Sequence, residues 1–164
     1  MDTQTQKTMF SSKSDMWGTP QTFFEKLNRK YKFTLDACAN ATNHKCDKYY
    51  TIEDDGLTKS WKDEVVFVNP PYSDVGKWVA KAYHESRENG ATVVMLIPAR
   101  TDTKYWHDYI MDAANRIYFI KGRLKFVNNN NITSNSAPFP SAVIVFDMGK
   151  FRWSGGPTIK TMVR

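Results

Sequence analysis

Short, uninterrupted apolar runs alternate with amphipathic stretches through the middle of the chain, and this alternation restricts the fold more than any other feature. The run VVFV, Val65 to Val68, and the run TVVMLIP, ending at Pro98, contain no polar alternation, so both read as strands buried on two faces. Between them, Val75 to Glu88 puts Trp78, Val79, Ala82 and Tyr83 on one helical face and stops at Asn89 and Gly90. A further helix is expected over Asp102 to Ala114, with Tyr105, Trp106, Tyr109, Ile110 and Ala113 inward, and a strand over Arg116 to Ile120. Upstream, Thr19 reads as a cap and Pro20 as the first residue of a helix carrying Phe23, Phe24, Leu27 and Tyr31; a short strand, Phe33 to Asp36, follows. Strands alternating with helices in this way imply a three-layer α/β fold with a mainly parallel sheet. GRLKF, residues 122–126, and SAVIVF, residues 141–146, are expected to finish it as an antiparallel pair at the sheet's edge.

Ligands of such sheets bind at the carboxyl ends of the strands. Asp36, Asn69 to Tyr72 and Pro98 to Thr101 would all lie at that edge. The strand VVFV stops on Asn69-Pro70-Pro71-Tyr72, and neither proline has an amide hydrogen with which to extend a ladder. This is an ordinary turn composition, but it also permits chemistry. The side-chain oxygen of Asn69 and the backbone carbonyl of Pro70 can hold an amino group by both hydrogens, which favours a pyramidal nitrogen with its lone pair directed outward. Tyr72 offers a face for a planar ring. An asparagine cannot serve as a general base, so the arrangement suits attack on a charged methyl donor, where the product ammonium loses its proton afterwards.

The 164 residues, 41% of them hydrophobic, suffice for one compact domain. Residues 1–14 are polar and aperiodic and read as a flexible arm, residues 15–149 as the folded domain and 150–164 as a basic tail. The formal charge of +6 is concentrated: from Ala113 onward, eight basic residues face Asp147 alone. Such asymmetry fits a polyanion partner, although a solvated basic face has the same composition. Two cysteines, no apolar run of membrane-spanning length and no signal-like start suggest a reducing cytoplasmic setting with no membrane contact. Cys38, His44 and Cys46 match no paired zinc spacing, so no metal is expected. No obligate protein partner is evident.

The motif and its surroundings resemble the small phage-type DNA adenine (N6) methyltransferases over about Asp15 to Phe146. The segments that carry the resemblance are DMWGTPQ, LDACAN, DDGL, the NPPY strand end, IPARTDTKYWH, GRLKF and APFPSAVIVF. It implies an abbreviated class I, Rossmann-like methyltransferase fold that uses S-adenosylmethionine and acts on double-stranded DNA in the host cytoplasm. By the same resemblance, Asn69 and Pro70 hold the exocyclic amine of a flipped adenine, Pro71 shapes the turn and Tyr72 stacks on the base. Trp17, Thr19 and Pro20, with Asp36, Ala37 and Cys38, fall in cofactor-binding segments, as does Asn69; Asp54 or Asp55 falls where a carboxylate meets the donor's adenosine. Arg100, which can face the crevice or pair with Asp102, is a candidate DNA contact together with Lys121, Arg123, Lys125, Asn129 and Asn130. The chain departs from larger relatives in having Ala37-Cys38-Ala39-Asn40 where they carry a glycine-rich loop. The same motif could grip a protein glutamine or an RNA base, and the charge alone would also fit a nucleic-acid-binding relative without catalysis.

Overall fold

A computed structural model describes residues 17–128, 133, 135–147 and 156–164. The expected arm and the candidate contacts Asn129 and Asn130 lie outside the described residues.

The first helix, α1 (Gln21–Tyr31), turns Phe23, Phe24 and Leu27 inward. Pro20 precedes it with no side-chain cap, and Lys32 closes it in the left-handed conformation with its N–H on Asn28 O. Thr19 therefore does not cap the helix, and its hydroxyl is used elsewhere. Strand β1 (Leu35–Asp36) pairs parallel with β2 (Val65–Val68), which pairs parallel with β3 (Thr92–Pro98). Helix α2 (Val75–Asn89) links the latter two and ends on Gly90, whose φ of 71° suits a residue without Cβ.

After β3 the helix expected over Asp102 to Ala114 is present from residue 104 to Ala113, but its middle, Trp106–Ile110, is a π-helical turn that continues into α3 (Met111–Ala113). Trp106 and Ile110 still face the core. The wide turn preserves the inward side chains, so an apolar repeat does not reveal it.

Strands β4 (Arg116–Lys121), β5 (Ser141–Phe146) and β6 (Thr158–Val163) complete a sheet of order β1-β2-β3-β5-β4-β6. Only β5 runs against the others, pairing antiparallel with both β3 and β4. The expected antiparallel pair is thus present, but its members and position differ from expectation. All six residues of β5 are buried and the strand lies inside the sheet, as a continuous apolar run should. GRLKF is not its partner: Gly122 turns with φ 79°, Leu124 and Phe126 point into the core, and Val127 makes an isolated antiparallel bridge to Gly18. Within the stretch expected as a tail, β6 adds an exposed edge strand parallel to β4.

Alternation along the strands divides the interior into two halves. Val66, Val68, Met95, Ile97 and Ile144 pack against α2 and the π-helical turn. Phe67, Val94, Leu96 and Val143 pack against α1. This is the three-layer α/β architecture expected from the sequence. Between β1 and β2 the chain has no helix; Tyr49 bridges in parallel to Asp36, and buried Trp61 donates its indole N–H to Gly56 O at 3.0 Å.

Candidate functional site

Strand β2 delivers Asn69 to the carboxyl edge of the sheet, where the segment before α1 meets it. The Asn69 amide nitrogen donates to the backbone carbonyl of Trp17 and, at 3.1 Å, to the hydroxyl of Thr19. Both amide hydrogens are therefore engaged, and the side-chain oxygen is left buried with no hydrogen-bond partner. A buried acceptor without a donor is costly, by about 1–3 kcal/mol, and its persistence marks a place where a ligand can repay the loss. Pro70 is buried beside it, while the Pro71 carbonyl accepts the N–H of Asp74 and so turns the chain into α2.

A cavity of about 240 Å³ opens in front of this strand end and is lined by Asn69, Pro70 and Pro71 on one side and by Trp17, Gly18 and Thr19 on another. Asp36, Ala37 and Cys38 form the wall that continues β1. Asp36 is 3% exposed. Its carboxylate accepts the N–H of Cys38 at 3.4 Å and that of Lys45 at 2.9 Å. Burial outweighs these bonds and the nearby Lys45 and His44 charges, pushing its pKa up to about 6.

The two neighbouring aspartates separate cleanly. Asp55 lines the cavity, in the left-handed region at φ 52°. Asp54 instead turns back to accept the Thr51 N–H at 2.8 Å and the Thr51 hydroxyl at 3.1 Å, bonds that hold its carboxyl below the usual range. Gly56 completes the lip of the cavity. A Cβ there would lie 2.2 Å from the Ala37 carbonyl oxygen, so the two loops meet only because position 56 has no side chain.

Tyr72 does not line the cavity; it stands next to it in an aromatic box. Trp17 lies nearly parallel to it, at 15° and 6.4 Å between centroids, and Phe139 and Phe126 meet it edge-on at 5.2 and 6.2 Å. Its hydroxyl is buried without a partner, and burial raises its pKa. Arg100 does not pair with Asp102 among the described residues; its guanidinium sits over the Phe139 ring at 6.0 Å. The segment Pro98 to Thr101 therefore reaches the aromatic box, not the cavity. Pro20 lies just outside the cavity lining, and Lys121, Arg123 and Lys125 are exposed on the approach to Phe126. His44 stacks on Tyr49 at 4.1 Å, and among the described residues no three His, Cys, Asp or Glu side chains gather into a metal site.

Several lining residues carry no sequence signal. Lys45, Thr51 and Ile52 belong to a polar, motif-free stretch. Gly56 was within reach, since it sits in the DDGL segment and glycine beside two acids marks a turn.

The profile of the family described as DNA N-6-adenine-methyltransferase (Dam) matches residues 5–158. A DNA N-6-adenine-methyltransferase of Haemophilus phage HP1 is 33% identical over 120 residues, which cover 72% of this chain and 69% of that protein. One of Escherichia phage T1 is 36% identical over 106 residues, covering 63% of this chain but only 44% of that protein.

Proposed function

The chain belongs to the DNA N-6-adenine-methyltransferase (Dam) family, and from that premise we propose that it transfers a methyl group from S-adenosylmethionine to the N6 amine of an adenine rotated out of double-stranded DNA. The observation that carries this reading is the unpartnered Asn69 oxygen. With both amide hydrogens held by Trp17 and Thr19, the amide cannot turn over without driving its oxygen against the Trp17 carbonyl. The acceptor is therefore preorganised for an N–H donor, as transition-state stabilisation requires.

Within the site, Asn69 and the Pro70 carbonyl accept the two hydrogens of the amine and direct its lone pair toward the cavity. The donor supplies an electrophilic sulfonium methyl when bound. Asp36, Asp55 and the Trp17–Thr19 segment would hold it, and their fit is supported by the cavity that they line next to Asn69. No side chain need act as a base during transfer, because the ammonium product loses its proton afterwards. Tyr72, with its plane fixed by Trp17, Phe126 and Phe139, provides the ring against which the base stacks.

A paired adenine has its amine bonded within the duplex, and the Asn69 oxygen is buried, so the base must leave the stack to reach it. Lys121, Arg123 and Lys125 alternate outward with buried Leu124 and Phe126, which suits them to phosphate contact beside the aromatic box. Arg100 suits the same role.

Transfer of labelled methyl from S-adenosylmethionine to double-stranded DNA tests the assignment. Asn69→Ala is expected to reduce the rate by about 10²–10³-fold, the usual effect of removing one preorganised dipole. An unchanged rate refutes the mechanism, and label found in protein or RNA but never in double-stranded DNA refutes the substrate.

A further inference from the structure

The cavity contains a pair of opposite charges that attract one another without meeting in an ion pair. Asp36 and Lys45 both line it, and Lys45 is the only cationic side chain on its wall among the described residues. The backbone N–H of Lys45 donates to the Asp36 carboxylate at 2.9 Å, which ties the two residues together at the main chain. Their charged ends remain apart: no ion pair within 4 Å joins them among the described residues. The Lys45 ammonium instead donates to the neutral Gln21 amide oxygen at 2.9 Å, and the two bonds to Asp36 come from neutral backbone amides. Burial lowers the Lys45 pKa and raises that of Asp36, outweighing their mutual attraction and the pull of Glu25 on Lys45, so each charge is incompletely compensated.

The loop between them explains why a side chain is needed. Asn40 accepts from Thr42 and Asn43, and Asn43 accepts from the Asn40 N–H at 2.9 Å, so both asparagine oxygens are spent on holding the loop's own shape. With no glycine-rich turn offering backbone amides to an anion, a ligand carboxylate has Lys45 as its cationic partner. A free α-amino-acid group presents an ammonium and a carboxylate on one carbon. Adding a charge-assisted hydrogen bond of about 2.8 Å at each end spaces the two anchors several ångströms apart, beyond ion-pair distance, as is seen here.

We infer that Asp36 and Lys45 form a two-ended clamp for the zwitterionic amino-acid end of the methyl donor, with Asp36 taking its ammonium and Lys45 its carboxylate. The inference rests on the donor reading given above and adds the residue that replaces the missing loop. It makes Lys45 the determinant that selects an intact α-carboxylate.

Calorimetric titration of the whole protein with four probes tests it: S-adenosylmethionine, S-adenosylhomocysteine, decarboxylated S-adenosylmethionine and 5′-methylthioadenosine. The unmodified protein should bind S-adenosylmethionine about 10- to 100-fold more tightly than its decarboxylated form, the effect of one charged hydrogen bond. Lys45→Met should remove that preference, weakening the two carboxylate-bearing probes and leaving the other two unchanged; Lys45→Arg should restore part of it. Equal affinity of the unmodified protein for the intact and decarboxylated donors overturns the clamp without needing any variant. So does a Lys45→Met protein in which all four probes weaken alike. If the unmodified protein binds none of the four, the donor reading itself falls and takes the clamp with it.

Discussion

Replacing Thr19 with valine exchanges one oxygen for a methyl group at a position that is 2% exposed, and so isolates a single bond to the Asn69 amide. In the native structure that amide has two acceptors, the Trp17 carbonyl and the Thr19 hydroxyl, at 3.1 Å in the latter case. The variant leaves one amide hydrogen facing hydrocarbon, an unsatisfied buried donor worth about 1–3 kcal/mol. For a chain of this size that corresponds to a melting temperature lower by about 2–10 °C, measurable by thermal denaturation. The amide cannot recover by rotating, because its oxygen would then oppose the Trp17 carbonyl. It can only loosen, and on the proposed mechanism a loosened Asn69 oxygen would bind the amine less well in the transition state than a fixed one. Steady-state methyl transfer should show kcat reduced by about 10- to 100-fold with little change in the KM for DNA, as expected of a positioning residue acting through Asn69. Thr19→Ser retains the hydroxyl and should keep most of the activity. A valine variant with native kcat, or a serine variant as impaired as valine, refutes the argument.

Donor affinity should depend on pH through Asp36, which titrates at about 6 in place of its ordinary 3.8 because it is buried. Between these values the folded chain keeps a proton that the unfolded chain has lost, so this group makes the fold less stable as pH rises, and a ligand ammonium offsets the penalty. Binding of S-adenosylmethionine should therefore weaken below pH about 6, by up to about tenfold per unit, whereas 5′-methylthioadenosine should bind independently of pH; parallel profiles in calorimetry would count against Asp36. Glu85 is buried and accepts from Lys81 at 2.6 Å, Asn89 at 3.0 Å and the Trp61 N–H at 3.1 Å. Glu85→Ala strands all three and should cost about 3 kcal/mol in denaturant unfolding, with a loss under about 1 kcal/mol disproving the network's importance. Gly56→Ala forces a Cβ against the Ala37 carbonyl, 2.2 Å away, and should cost about 1–3 kcal/mol and weaken donor binding; a variant as stable as the native protein would show that the loop gives way freely.

The fold could be read where burial leaves a pattern. VVFV and TVVMLIP became β2 and β3, and Gly90 ends α2, because doubly buried strands and left-handed caps leave plain marks in composition. SAVIVF was recognisable as a strand but not as an interior one, since the partner of a strand is chosen by topology and not by its own residues. β6 escaped notice because five of its six residues are exposed and Met162 alone packs partly inward. The strand end Asn69 to Tyr72 stands out in the sequence as a candidate, because two prolines stop an apolar strand there. What could not be read was the set of partners that give it direction. Thr19 has the composition of a helix cap, and only the approach of the two segments in space turns its hydroxyl toward Asn69. Lys45, likewise, is one lysine in a polar stretch until Asp36 is seen beside it.

The insertion of β5 between β3 and β4 has a consequence for the order in which the molecule is made. β1, β2 and β3 can pair once the chain is synthesised to Pro98, so the strands that bear Asp36 and Asn69 can assemble early. One edge of β3, seven buried apolar or small residues long, stays unpaired until Ser141 to Phe146 arrive. During that interval the nascent protein presents a flat hydrophobic edge, the kind of surface that recruits other strands. Phe126 and Phe139 reach Tyr72 in the same late step, so the aromatic box closes together with the sheet. Pulse-labelled hydrogen exchange during refolding should find the amides between β2 and β3 protected before those between β3 and β5, and simultaneous protection would contradict this order.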